Sequence, residues 1–242
     1  TWYGVGIDYC RHTLVDGVSG YDNTAHPVVP AALSSHTYIR GVHMSGSNAN
    51  IDAHPCFYTT YEDVESAESN YPNARCWGIK FINVTITNTL NPDNVADFMP
   101  GQGASNLVRF PHLATDFDIE FVNFKMVSLV GASIDNTLLI AHKCRRLIVT
   151  GCILPGIRCS NAIESVQITN SVLGQLRFHD DATAQISNVV FDYNLCQYAA
   201  ANFKGPIFSV NGKTLSLSNV TYVNWPTDFF LFSYLFNSGT LL

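Results

Sequence analysis

Charge is scarce in this chain. Of its 242 residues only 13% are Asp, Glu, Lys or Arg, about half the usual share for a globular domain. Lys and Arg together number 13, form no basic block, and leave a net charge of −6. A nucleic-acid partner is therefore not expected. No apolar run approaches the roughly 18 residues that cross a bilayer as a helix, so no membrane insertion is expected. The C-terminal stretch Asp228 to Phe236 is too short and too aromatic to span, and reads as a final core coil or a subunit contact. The seven cysteines form no CxxC and fit no zinc or disulfide framework. Cys152 and Cys159 read instead as small core hydrophobes, free thiols formed in a reduced environment. No Asp-x-Asp-x-Asp-Gly calcium loop occurs. His43, His54, His112 and His142 lack metal spacing and read as loop or turn residues. Nothing implies a metal or a cofactor. No signal-peptide pattern opens the chain. It begins at Thr1 rather than Met, so a recombinant piece or part of a longer protein is expected.

What is present is apolar and uncharged polar matter. Hydrophobic residues make up 47% of the chain, enough for a continuous core. Its polar character comes from Asn, Ser and Thr, which suit strands and turns better than solvated helices.

One phrase recurs: apolar, any, apolar, any, then Asn or Gly. It reads Ile79-Lys80-Phe81-Ile82-Asn83, Ile119-Glu120-Phe121-Val122-Asn123, Leu147-Ile148-Val149-Thr150-Gly151, Val166-Gln167-Ile168-Thr169-Asn170, Ala184-Gln185-Ile186-Ser187-Asn188 and Leu215-Ser216-Leu217-Ser218-Asn219. A weaker copy is Thr37-Tyr38-Ile39-Arg40-Gly41. In a strand the first and third positions share a face, so the repeat buries two aliphatics and then bends. Asn tolerates left-handed backbone and buried Asn amides can stack along a solenoid; Gly serves where the same backbone is needed. The residue after the bend, Val84, Phe124, Cys152, Val189 or Val220, is expected to point inward again.

Successive repeats begin 40, 28, 19, 18 and 31 residues apart, counting from Ile79. A coil of about 18–20 residues is three short strands with tight turns; longer intervals are the same coil carrying insertions, such as Asn91 to Pro111. A second strand precedes the main one at Ile157-Arg158-Cys159, Leu176-Arg177-Phe178 and Ile207-Phe208-Ser209. Two strands advancing together by one coil imply an all-β parallel β-helix. Neither a leucine-rich nor a hexapeptide solenoid pattern is present. Ser45 to Ala74, rich in Asn, Tyr and acid, reads as a long inserted loop that contacts ligand.

The chain resembles the right-handed parallel β-helix superfamily of pectate-lyase-like proteins, and within it the tailspike proteins of bacteriophages. The likeness covers about residues 27 to 225. Pro30-Ala31-Ala32-Leu33-Ser34-Ser35-His36-Thr37-Tyr38-Ile39-Arg40-Gly41 resembles that superfamily's entry coil. The resemblance implies a single-stranded right-handed parallel β-helix with loop insertions. It would have a lead-in over 1–36, the solenoid over 37–225, and an apolar cap or subunit-contact segment over 226–242. It further implies a virion location, a homotrimer, other virion proteins as neighbours, and a bacterial surface glycan as ligand. The Trp-Ile-Asp-His and Arg-x-Pro-x-x-Arg segments of pectate lyases are absent. So are the Asn-Thr-Asp, Gly-Asp-Asp and Arg-Ile-Lys segments of polygalacturonases. Both activities are therefore disfavoured.

Chemistry would sit on outward ladders. The main strand's outward residues are Lys80, Glu120, Ile148, Gln167, Gln185 and Ser216, a polar face suited either to sugar hydroxyls or simply to water. On the second strand, Arg158 and Arg177 stand one coil apart. Glu164 lies near the first; His179, Asp180 and Asp181 follow the second. This reads either as a local salt-bridge network or as a glycan site. In a glycan site Asp180, Asp181 and Glu164 would supply acid and base, and Arg158, Arg177, His179, Glu120, Gln167 and Gln185 would hold the sugar. Asp180 and Asp181 are adjacent and face opposite ways on an extended strand, so they serve two sites more easily than one. Asn83-Val84-Thr85 and Asn219-Val220-Thr221 match glycosylation acceptors but lie on the repeat, which explains them structurally. Three functions compete: a tailspike module that binds and cleaves a surface polysaccharide, a non-enzymatic structural or adhesive β-helix, and a stand-alone polysaccharide lyase or hydrolase.

Overall fold

The computed structural model describes residues 3–21, 26–45, 52–67, 73–87, 96–98, 117–127, 138–140, 144–159, 163–196, 208–225, 232–234 and 240–241. These residues form a parallel β-solenoid with almost no helix. Every strand pairing in it is parallel, and each coil lies on the one before.

The repeat is the spine of this ladder. Ile79 faces Ile119, Ile119 faces Leu147, Leu147 faces Val166, and Ala184 faces Leu215. The unequal spacings in sequence are thus single coils with insertions. The first and third positions of the repeat point into one continuous core, where Phe81, Phe121, Val149 and Ile168 are fully buried. Tyr61, Phe81 and Phe121 stack inside it with centroids 5.4 and 5.2 Å apart and planes within 13°. The residue after the bend also points inward: Val84, Phe124, Cys152 and Val189 are buried, and Val220 packs partly buried against the core. Ser171 takes that place in one coil. It is buried because its hydroxyl donates to the Thr169 carbonyl at 2.8 Å and accepts from the Cys152 amide at 3.1 Å.

The bend itself is left-handed in every coil described. Gly17, Gly41, Asp63, Asn83, Asn123, Gly151, Asn170, Asn188 and Asn219 all have φ between 49° and 68°. Gly, Asn and Asp adopt that backbone at least cost. The bend turns their side chains outward, so the Asn ladder is exposed rather than buried. Asn83 Nδ2 donates to Asp63 Oδ1 and Asn123 Nδ2 to Asn83 Oδ1, both at 3.0 Å. Asn188 donates to Asn170 at 3.2 Å and Asn219 to Asn188 at 2.8 Å. Asn83 and Asn219 are therefore structural rungs, whatever their acceptor sequences.

Further expectations are corrected. Ser45 to Ala74 is not one loop: Asp52–Ala67 is a strand in register with Tyr38–Ser45 and Asn73–Thr87. Its inward residues include Cys56, Thr59 and Ser66, and small polar side chains disguised the alternation. The segment Pro30 to Gly41 is not the first coil, because Leu14–Asp16 already pairs with Tyr38, Ile39 and Arg40. On the second strand, Ile157-Arg158-Cys159 does face Leu176-Arg177-Phe178, but the next coil enters one residue later, with Leu176 facing Phe208. Phe208 and Val210 satisfy the same apolar alternation that Ile207 offered. His43 likewise lies in a strand rather than a loop, with Nδ1 3.0 Å from Glu65 Oε2.

Cys56, Cys76, Cys144 and Cys152 are free and buried, as small hydrophobes would be. Burial, with the charges of Asp118 and Glu164, pushes the Cys144 thiol up to about 12. Burial pushes Cys152 to about 11 against hydrogen bonds to backbone. Neither is a nucleophile at neutral pH. The side chains of Cys159 and Cys196 lie outside the described residues.

Candidate functional site

A second left-handed corner precedes the main strand in the first coils. His12, His36, Tyr58 and Gly78 occupy the same place in successive coils, with φ of 54°, 55°, 51° and 73°. Coils are about 4.8 Å apart, so the rings follow one another in a column, tilted by 33° at each step: His12 to His36 at 4.8 Å and His36 to Tyr58 at 4.9 Å. Gly78 interrupts the column. A Cβ there would lie 3.0 Å from Tyr58 and 3.3 Å from Phe117. Lacking one, it lets Phe117 stand edge-on to Tyr58 at 5.2 Å. Behind these rings Phe57 stacks on fully buried Trp77 at 4.8 Å, which backs the corner with rigid apolar surface.

In front of Gly78 opens a cavity of about 450 Å³. Tyr58, Phe117, Lys80, Glu120, Asp118 and Arg145 are among the residues that line it. Lys80 Nζ lies 2.9 Å from Glu120 Oε2, because these outward residues face each other in register. Asp118 receives Arg145 through Nε at 3.0 Å and Nη2 at 2.8 Å, and Arg146 through Nε at 3.1 Å. Burial alone would raise the Asp118 carboxyl. The hydrogen bonds and charges of the two guanidiniums outweigh it and hold the carboxyl at about 2.

This arrangement favours binding over acid–base chemistry. Hydrolysis of a glycoside needs one protonated and one ionised carboxyl flanking the bond. Asp118 stays ionised at any ordinary pH, and Glu120 is committed to Lys80. What remains is an aromatic surface, half-exposed at Tyr58 (50%), in one cavity with charge-assisted donors and acceptors. A polyhydroxylated ring can lay its apolar face on that surface and its hydroxyls on the ion pairs.

No protein-family model, curated protein or solved structure matches this chain.

Of the residues expected from sequence, Glu120 is in the cavity. Gln167 follows it on the same outward ladder, past Ile148, and is exposed; Gln185 continues the ladder to Ser216. Glu164 is exposed at the start of the strand Ile163–Asp192. The backbones of Arg158 and Arg177 pair as expected. Between Phe178 and Ala182 the register against the next coil shifts, and His179, Asp180 and Asp181 lie in that irregular segment. The side chains of Arg158, Arg177, His179, Asp180 and Asp181 lie outside the described residues. Among the described residues no three His, Cys, Asp or Glu side chains are placed to hold a metal ion.

Sequence reasoning missed Tyr58, Gly78, Phe117, Asp118 and Arg145. A signal existed for the first two. Each precedes a copy of the repeat, as His12 and His36 do, once Thr is accepted at its first position (Thr13, Thr37 and Thr59). Asp118 likewise directly precedes a copy, at Ile119, but Phe117 and Arg145 stand one residue further back and carry no such signal.

Proposed function

We propose that this β-solenoid is a glycan-binding module of the bacteriophage tailspike type. It attaches to a bacterial surface polysaccharide through the groove beside Tyr58, as one chain of a homotrimeric spike on the virion. The observation that carries the reading is the cavity at Gly78, which brings aromatic side chains and two ion pairs together on the outer face of the solenoid. The tailspike assignment and the trimer rest on the resemblance in coil pattern. Binding without cleavage is favoured because both described carboxylates of the groove are held by cations.

The test is a glycan array of bacterial capsules and lipopolysaccharides with wild type and Tyr58→Ala. Selective binding that the variant loses is expected. A wild-type chain that binds nothing on the array rules the reading out. The same preparations should leave the viscosity of a bound polysaccharide unchanged. Release of reducing ends or unsaturated products, abolished in Asp180→Ala or Asp181→Ala, would replace binding with depolymerisation. Sedimentation of the chain tests the trimer directly.

A further inference from the structure

The corner that carries Tyr58 continues toward the N-terminus as a column of rings. His12, His36 and Tyr58 all sit in the left-handed region. The Asn bend of the same coils shows what that backbone ordinarily recruits: Gly, Asn and Asp. His tolerates that backbone better than most residues, but a Tyr held there is an outlier, and such outliers gather at functional sites. Turning the chain does not explain three rings in a row.

A second column runs beside the first, one residue earlier in each coil. Arg11, Ser35 and Phe57 are joined by parallel bridges. The two columns, with Leu33, enclose a cavity of about 440 Å³ that shares Tyr58 with the groove at Gly78. Its described lining contains a guanidinium, two imidazoles and the hydroxyls of Ser35 and Tyr58, and no carboxylate among the described residues. Lys80, Arg40, Arg145 and Arg146 each face an acid, and Lys125, like Arg11, faces none among the described residues but lines neither cavity. Arg11 is exposed, and among the described residues no carboxylate pairs with it. In a chain of net charge −6, an uncompensated cation inside a ring-lined cavity is directed at an anion.

We propose that this second cavity receives an oxyanion substituent of the bound glycan: the carboxylate of an acidic sugar, or a sulfate or phosphate ester. Arg11 is its counter-charge, suited to bidentate contact with such groups. Ser35 and the ring N–H groups of His12 and His36 complete the donors. The sugar that bears the substituent lies against Tyr58, and the rest of the chain passes into the cavity at Gly78. This rests on the glycan-binding reading of the groove, and it narrows the ligand to an acidic polysaccharide.

Two measurements test it. In the first, the intact chain is treated with phenylglyoxal and modification is followed by mass spectrometry in the presence of glucuronate, inorganic sulfate, inorganic phosphate or glucose. Protection of Arg11 by one of the anions, with exposed Arg40 modified equally in all arms, is expected, and the protecting arm identifies the substituent. Equal modification of Arg11 in every arm overturns the anion site. In the second, Arg11→Gln is compared with wild type on the glycan array. A loss of about 10- to 100-fold confined to acidic glycans is expected from one charged hydrogen-bonded contact. Wild-type binding to neutral glycans alone, unchanged in Arg11→Gln, overturns the anion site and leaves the groove reading standing. Protection at Arg11 with no glycan bound on the array overturns the groove reading instead.

Discussion

Gly151 is where the outward Asn ladder is broken, and replacing it tests the bend directly. Its φ is +67°, and a Cβ built on it would lie 2.4 Å from Asn123 Oδ1. Gly151→Ala therefore carries two costs. An alanine in the left-handed region loses about 1–2 kcal/mol. Asn123 must also withdraw its amide, which disturbs the 3.0 Å bond it donates to Asn83; an exposed hydrogen bond is worth about 0.5–1 kcal/mol. Together the loss is about 2 kcal/mol. Gly151→Asn should behave differently. Asn occupies the same bend on both sides, at φ 51° in Asn123 and 52° in Asn170. The Cβ clash involves only the end of one side chain, since the next nearest atoms are 3.5 and 3.8 Å away. A rotation of Asn123 relieves it, and the new amide joins two separate runs of the ladder. We expect Gly151→Asn within about 0.5 kcal/mol of wild type and above Gly151→Ala by at least about 1 kcal/mol. Urea midpoints followed by circular dichroism, with slopes compared for constancy, measure this. In an Asn123→Ala background the clash is gone, and Gly151→Ala should then cost only its backbone strain. An alanine variant as stable as wild type, or more stable than the asparagine variant, would refute the left-handed corner as the physical basis of the repeat.

Three further outcomes are expected. Asp118 has its carboxyl depressed to about 2 and a side chain 13% exposed. Its contribution is complete above the ordinary carboxylate value and lost as pH falls through about 2, worth about 2 kcal/mol. Asp118→Asn should therefore melt lower at pH 7 and lose less on acidification, and melting curves that stay parallel from pH 7 to 2 would contradict this. Tyr58→Ala should weaken glycan binding about tenfold or more in calorimetry, as loss of a central aromatic contact does, with little change in melting because half the ring is already exposed. Asn188 links Asn170 to Asn219. Asn188→Gly should cost about 0.5–1 kcal/mol for the lost ladder bonds, and Asn188→Ala about 1–2 kcal/mol more for its backbone; equal melting points for the two would refute the backbone cost at the bend.

The solenoid was legible because its cause is local. Two inward aliphatics followed by a residue tolerant of positive φ is a short-range pattern, and it survives insertions of any length between copies. It failed where the inward position was filled by Thr, as in Thr13 to Gly17 and Thr59 to Asp63. There burial within a ladder, rather than hydrophobicity, keeps a small polar side chain inside. The groove was barely legible. Glu120 and Lys80 were visible as outward neighbours, but Asp118 meets Arg145 across 27 residues. Tyr58 meets Phe117 across an even longer stretch, around a glycine whose role is to be absent.

The sequence alone therefore determined the coil: its strands, its bends, its inward face, and that successive copies must stack. Each of those follows from neighbours along the chain. Only the tertiary structure decided which outward side chains share a coil edge. That depends on the register in which insertions of unequal length return to the ladder. It placed a glycine between two rings, two arginines on one aspartate, and beside two histidines an Arg11 that meets no carboxylate among the described residues; the proposed binding groove is read from those placements.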